Sequence, residues 1–412
     1  MRKIGIEKGL RKFYTLLIVI MPILNIYATE WIHALGIGEF FGIIFLTVLF
    51  LWGCKYKISI HNKYYWAFVL YLSLNSLILT IVIPDYLFSE TIIRILKMLF
   101  YTSIIFGFSY RYLDLKYLER VYLKIAFCAS AYVLLQYIAY TIIGINLPSV
   151  LPNTYLLNIM SSNEFRIALL QSNKFGFRPS GFFTEPAHFC EYVIYCLPMI
   201  LMKNRKNIWH YIVFILTAIA ILISRSAIGY VCMTAIIGMW LVIEKKIQTR
   251  FIIFIVVVAF ITISFKFGFF ENALNRFSTV KTIGASTGTI RLLRGFIIFN
   301  KLPFGYKIFG IGAGNYAAFI NSYNIITMFD RSLARENEYM NTISMILVYG
   351  GILGVLIYVY ALYQIIRNAN NMQIICFTIL LLLLVSSNIF YSATYIMPML
   401  LISYKIDEEI MR

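Results

Sequence analysis

IICFTILLLLLVSSNIFYSATYIMPMLLISY, residues 374–404, carries no charged side chain. As one helix rising 1.5 Å per residue it would be about 45 Å long. The hydrocarbon of a bilayer is only about 30 Å thick and takes about 20 residues to cross, so a single span would need severe tilt. Two short helices broken near Ser386, Ser387 and Asn388 accommodate the length.

The same reasoning, carried outward along the chain, predicts spanning helices at 13–32, 36–53, 64–83, 91–109, 120–145, 184–202, 208–223, 226–243, 251–268 and 339–361. A chain of 412 residues that is 61% hydrophobic and 13% charged has too little polar surface to cover a water-soluble core. That excludes a soluble globular enzyme, and the long runs are unlike the alternating strands of a membrane barrel. The expected fold is an all-α polytopic membrane protein of about twelve transmembrane helices, one integral-membrane domain over residues 1–412.

The net charge of +18 falls where membrane topology puts it rather than on one basic face, which argues against a nucleic-acid partner. Arg2, Lys3, Lys8, Arg11 and Lys12 precede the first run; Lys55, Lys57 and Lys63 follow the second; Arg111, Lys116, Arg120 and Lys124 follow the fourth. By the positive-inside rule these segments are cytoplasmic, and alternation adds Lys203, Arg205 and Lys206, then Lys245, Lys246 and Arg250, then Arg367 and Lys405. Both termini are expected in the cytoplasm. The first run is expected to be an uncleaved helix, because Thr29-Glu30-Trp31 is a poor cleavage site. Six scattered cysteines without Cys-x-x-Cys spacing point to neither a disulfide framework nor a zinc knuckle.

Two segments, 146–183 and 269–338, are too long for connectors, and the same topology places both outside the cytoplasm as long loops. Both are basic: Lys174 and Arg178 lie in the first, and Arg276, Lys281, Arg291, Arg294, Lys301, Lys307, Arg331 and Arg335 in the second. Long loops translocate regardless of charge. An anionic ligand is the simplest reason for so many cations outside, with contact to anionic lipid headgroups as the alternative for any single one. No internal repeat or matched pair of broken helices indicates an inverted-repeat transporter.

The stretch from Phe177 to His188 contains Arg178, Gly181, Glu185 and Pro186 where a loop enters a helix. Thr184 or Glu185 suits the cap and Pro186 the first turn. A helix N-terminus beside Arg178 is a seat for phosphate, and Gly181 would let backbone approach closely. Glu185 reads equally as a carboxylate on the helix dipole or as a general base. Glu185, His188 and Glu191 share a helical face, but no further metal-ligand pattern accompanies them.

Arg225, in Ser224-Arg225-Ser226 between two apolar runs, is costly in lipid and therefore a functional hint; snorkelling to headgroups is its ordinary alternative. Arg94 and Lys97 carry the same ambiguity. Gly310-x-Gly312-x-Gly314 has the wrong spacing and context for a dinucleotide fingerprint and reads as a plain loop. Arg335-Glu336-Asn337-Glu338-Tyr339 opens the helix that carries Gly350, Gly351 and Gly354, acidic residues suiting a helix start and small residues close packing.

In this order, over about residues 90–405, these segments resemble the Wzy-type O-antigen and capsular polysaccharide polymerases, and more distantly the O-antigen ligases of the same superfamily. The likeness rests on Arg178-x-x-Gly181-x-x-x-Glu185-Pro186, Ser224-Arg225-Ser226, Arg291 in the large outer loop, and Asn337-Glu338-Tyr339 followed by Gly350 and Gly354. The ligases carry a histidine near the end of that loop where Glu336-Asn337-Glu338 stand here, which favours polymerase.

The resemblance implies a metal-independent glycosyltransferase of the bacterial inner membrane, without cofactor, acting in polysaccharide biosynthesis for O-antigen lipopolysaccharide or capsule. Its substrate would be an undecaprenyl-diphosphate-linked oligosaccharide, and its neighbours a chain-length regulator, a flippase and membrane lipids. Arg178, Arg225 and Arg291 would hold the diphosphate and stabilise its leaving charge. Glu185 or Glu338 would take the proton of the acceptor hydroxyl. The alternatives are a ligase, which differs in acceptor, and a flippase or transporter, which would need more charge inside its helices.

Overall fold

The computed structural model describes residues 2–29, 32–52, 62–151, 154–156, 177–203, 207–243, 287–330 and 334–404. The predicted span at 251–268, residues 157–176 of the first long loop and 269–286 of the second lie outside them.

The described chain is helical: α1 Arg2–Leu24, α2 Ile37–Trp52, α3 Lys63–Val82, α4 Phe88–Thr102, α5 Ser109–Tyr112, α6 Leu115–Ile138, α7 Pro186–Val193, α8 Cys196–Leu201, α9 Ile208–Ile223, α10 Ala227–Ile243, α11 Thr287–Lys301, α12 Phe304–Phe309, α13 Tyr316–Ser322, α14 Thr342–Ile366, α15 Asn371–Ser386 and α16 Ala393–Ser403. Four continuous helical stretches, Lys63–Val82, Phe88–Tyr112, Leu115–Ile143 and Thr342–Ile366, are long and apolar enough to cross a bilayer, and several apolar helices are shorter. Ile78, Ile81 and Val82 on α3, Ile212 and Ile215 on α9 and Leu356 and Val359 on α14 face outward and exposed. So much outward apolar surface is unlike a water-soluble monomer and compatible with a membrane protein.

Asparagine and aspartate start many of these helices by accepting from the backbone N–H three residues on: Asn62 from Tyr65, Asp114 from Tyr117, Asn207 from His210, Asn341 from Ser344 and Asn370 from Gln373. Each such cap is worth about 1 kcal/mol. Where lipid offers no hydrogen bonds, buried hydroxyls pair with one another. Tyr65 bonds Tyr395 at 3.1 Å, and Tyr395 bonds Tyr358 at 2.8 Å, tying α3, α16 and α14.

Several helices depart from the lengths expected of them. The run at 13–32 leaves the helix at Leu24, because Asn25 turns its side chain to accept from Glu39 N at 2.8 Å at the start of α2. Ala28–Thr29 then pairs antiparallel with Ile32–Gly36. The span expected at 184–202 is two short helices, α7 and α8. Pro198 has no N–H for Ile194 O, which takes Leu197 N at 3.2 Å instead. The 91–109 and 120–145 spans each contain a π-helical stretch, Ser103–Phe108 and Ala139–Ile143. The 374–404 run is broken as its length requires, between Ser386 and Ala393.

The second long loop is mostly helical where described, and its glycines form a buried seam rather than a plain loop. Helix α14 kinks at Gly351, φ 63°. The carbonyls freed at the kink accept from the loop, Val348 O from Ile311 N and Tyr349 O from Gly312 N, both at 3.0 Å. Tyr71 Oη donates to Phe309 O and Gly350 O, Asn75 to Phe309 O, and Ser76 Oγ accepts from Ala313 N. Gly310 must be glycine: a Cβ there would lie 2.1 Å from Tyr349 O. Irregular backbone within an apolar bundle is tolerated where it is buried in protein and its amides find partners, as Ile311, Gly312 and Ala313 do.

Candidate functional site

The segment 177–185 lies against α6. Gly181, φ 63°, donates its N–H to Gln136 Oε1 at 2.9 Å, and a Cβ there would meet Ala129 O at 3.2 Å. Its close approach is therefore to α6 and not to a ligand. The segment so anchored carries Arg178, whose Nη2 donates to Arg225 O at 3.1 Å. Arg225 occupies the left-handed region, φ 52°, in the turn between α9 and α10. That strained conformation aims the Arg225 carbonyl at Arg178 and joins two cations that the sequence separates widely.

Glu185 is the N-cap residue of α7, with Pro186 in its first turn as expected, but its side chain makes no capping bond. Its Oε2 lies 3.6 Å from Arg291 Nη2 instead. Thr184 Oγ1 lies 3.1 Å from His188 Nδ1, and buried Glu191 accepts from Ser387 Oγ at 2.5 Å. Glu185, His188 and Glu191 thus have three different partners, and among the described residues no three metal-binding side chains come together.

Helix α11 supplies Arg291 and is clamped against α14. Asn341 Nδ2 donates to Arg291 O at 3.0 Å and Leu292 O at 3.1 Å. Gly295 permits the contact, since a Cβ there would sit 2.1 Å from Ser344 Oγ. The Arg291 guanidinium lies 4.7 Å over the Tyr339 ring, within the range of a cation–π contact, and in the field of Glu185 and Glu191. One turn along, Arg294 is 1% exposed and donates to Asn337 O at 2.7 Å, Arg335 O at 3.0 Å and Ala334 O at 3.2 Å. It shapes the turn that presents Glu338, whose Oε2 lies 2.8 Å from Arg94 Nη2.

The five sequence-selected residues therefore fall in three pairings: Arg178 on Arg225, Glu185 by Arg291, and Glu338 on Arg94, with Tyr339, next to Glu338 in sequence, under Arg291. The structure adds Arg94, which the sequence left ambiguous, and Arg294, Asn341 and Tyr349, which it did not select. Tyr349 lies beside both Glu338 and Arg94. Lys97 belongs elsewhere: it lies 3.7 Å from buried Glu39, which also accepts from Tyr101 Oη at 2.5 Å.

The arrangement suits an anionic substrate. Two guanidiniums from separate elements, Arg94 and Arg291, each lie beside a carboxylate, and a forked guanidinium matches phosphate geometry. No known family model matches the chain, and no curated protein matches it either.

Proposed function

We propose that this protein is a glycosyltransferase of the bacterial inner membrane that acts on diphosphate-linked sugar donors at the outer face, with both termini in the cytoplasm. More narrowly, it is a polysaccharide polymerase that moves a growing glycan from its undecaprenyl-diphosphate carrier onto the next lipid-linked repeat unit. The observation that supports this reading is that sequence-distant arginines and carboxylates pair across the fold, Arg291 with Glu185 and Arg94 with Glu338, while Arg178 rests on the Arg225 carbonyl.

The acceptor hydroxyl oxygen bonds to the anomeric carbon as the bond from that carbon to the diphosphate oxygen breaks. The electron pair leaves with undecaprenyl diphosphate, whose growing negative charge Arg178, Arg225 and Arg291 stabilise. The hydroxyl proton passes to Glu185 or Glu338. Tyr339 holds the Arg291 guanidinium through its ring face.

Deleting the gene in its host and following surface glycan and lipid-linked intermediates tests the proposal. Single repeat units on the final acceptor without a ladder support polymerisation. Full-length polymer stranded on carrier lipid means a ligase, and repeats trapped inside mean a flippase. Restoring the gene with Arg178→Ala or Arg291→Ala is expected to leave the ladder absent while the protein stays in the membrane; wild-type ladders from both would sink the assignment.

A further inference from the structure

The end of the bundle away from the arginines holds a second basic feature. Helices α6 and α9 both begin there and α8 ends there, around a pocket of about 590 Å³. Arg225 follows the far end of α9, so the pocket lies about 24 Å from it by helical rise. The proposed active site therefore does not account for this pocket.

Lys116, Arg120 and Lys124 line the pocket from α6 at i, i+4 and i+8, one face of the helix. Lys203 lines it from the end of α8 and is paired with Glu119, the one carboxylate in the lining. Among the described residues no carboxylate ion-pairs with the three α6 cations. Like charges spaced one turn apart repel, and an anion in the pocket relieves that repulsion. The N-termini of α6 and α9 point the same way and add to the positive potential.

The surface beside the pocket indicates which anion. Ile208, Tyr211, Ile212, Ile215 and Ile219 are all exposed and recur along one face of α9, which starts at the pocket beside Trp209. A charged recess that opens onto an apolar stripe matches a phosphate headgroup with its acyl chains. A free phosphate would use the recess alone.

We propose that this pocket binds the phosphate headgroup of an anionic diacyl phospholipid, with the acyl chains lying along the exposed face of α9. The inference does not rest on the polymerase reading and stands or falls separately from it. Basic pockets between membrane helices attract such headgroups.

The test is native mass spectrometry of the purified full chain in dodecyl maltoside, titrated with phosphatidylglycerol, phosphatidylcholine or inorganic phosphate. Phosphatidylglycerol is expected to bind at least tenfold more tightly than phosphatidylcholine. The triple variant Lys116→Gln, Arg120→Gln, Lys124→Gln is expected to weaken that binding about 100-fold, each lost cation contributing a similar factor. Glu119→Gln, which removes the carboxylate of the lining, is expected to tighten it about fivefold. Equal binding of the two lipids, an unchanged triple variant, or phosphate binding as well as phosphatidylglycerol overturns the proposal. Should the triple variant not remain monodisperse, Glu119→Gln decides, and unchanged affinity there overturns it equally.

Discussion

Arg291 and Arg294 leave the same helix less than a turn apart, and α11 uses them for opposite purposes. Arg294 is buried, and its two terminal nitrogens donate to three backbone carbonyls of the 334–337 turn, with Asp330 4.0 Å away. Arg291 stays partly open, stacked on Tyr339 and 3.6 Å from the Glu185 carboxylate. One arginine builds the turn and the other faces the place where chemistry would occur. A charge in an apolar protein can thus be used to hold backbone in place, as Arg294 is, or left beside another side chain, as Arg291 is.

That contrast predicts separable losses. Arg294→Ala leaves three buried carbonyls without their donor and is expected to cost about 3 kcal/mol or more of stability. The readouts are a lower detergent melting temperature and less protein in the membrane, with polymer falling in proportion; a normal melting temperature would erase the contrast. Glu185→Gln and Glu338→Gln, at unchanged protein level, should divide: loss of the base lowers polymerisation by about 100-fold or more. Loss of a mere counter-charge to an arginine lowers it only about tenfold. If both fall only slightly, neither is the base.

Arg291→Lys keeps the charge but loses the planar fork, and is expected to reduce the polymer ladder about tenfold without moving the melting temperature. Full activity would show that a point charge suffices. The smallest effect belongs to Arg367→Ala at the far end of α14. Among the described residues the side chain of this exposed arginine bonds Gln364, three residues before it. Stability and ladder should both stay unchanged, within about 0.5 kcal/mol for the former.

Helices whose apolar runs are uninterrupted were legible to within a residue or two: 64–83 is Lys63–Val82, 208–223 is Ile208–Ile223 and 226–243 is Ala227–Ile243. Run length also exposed the break in 374–404. What stayed hidden was set by partners far along the chain. Arg94 meets Glu338 across most of the sequence, and no local pattern joins them. The Gly310–Gly314 spacing resembles no ligand loop because its partner is the kink at Gly351, visible only when both are folded together. Arg294 and Arg291 look alike in sequence, since the face each occupies depends on where Asn341 docks α11.

The glycine seam also gives α14 an index mark. Sliding that helix by one residue would carry the Val348 and Tyr349 carbonyls away from the Ile311 and Gly312 amides and leave all four groups unbonded. Tyr71, Asn75 and Ser76, synthesised long before, hold the other side of the seam at a set level on α3. The depth at which α14 seats is thereby metered against α3, and with it the height at which Glu338 meets Arg94.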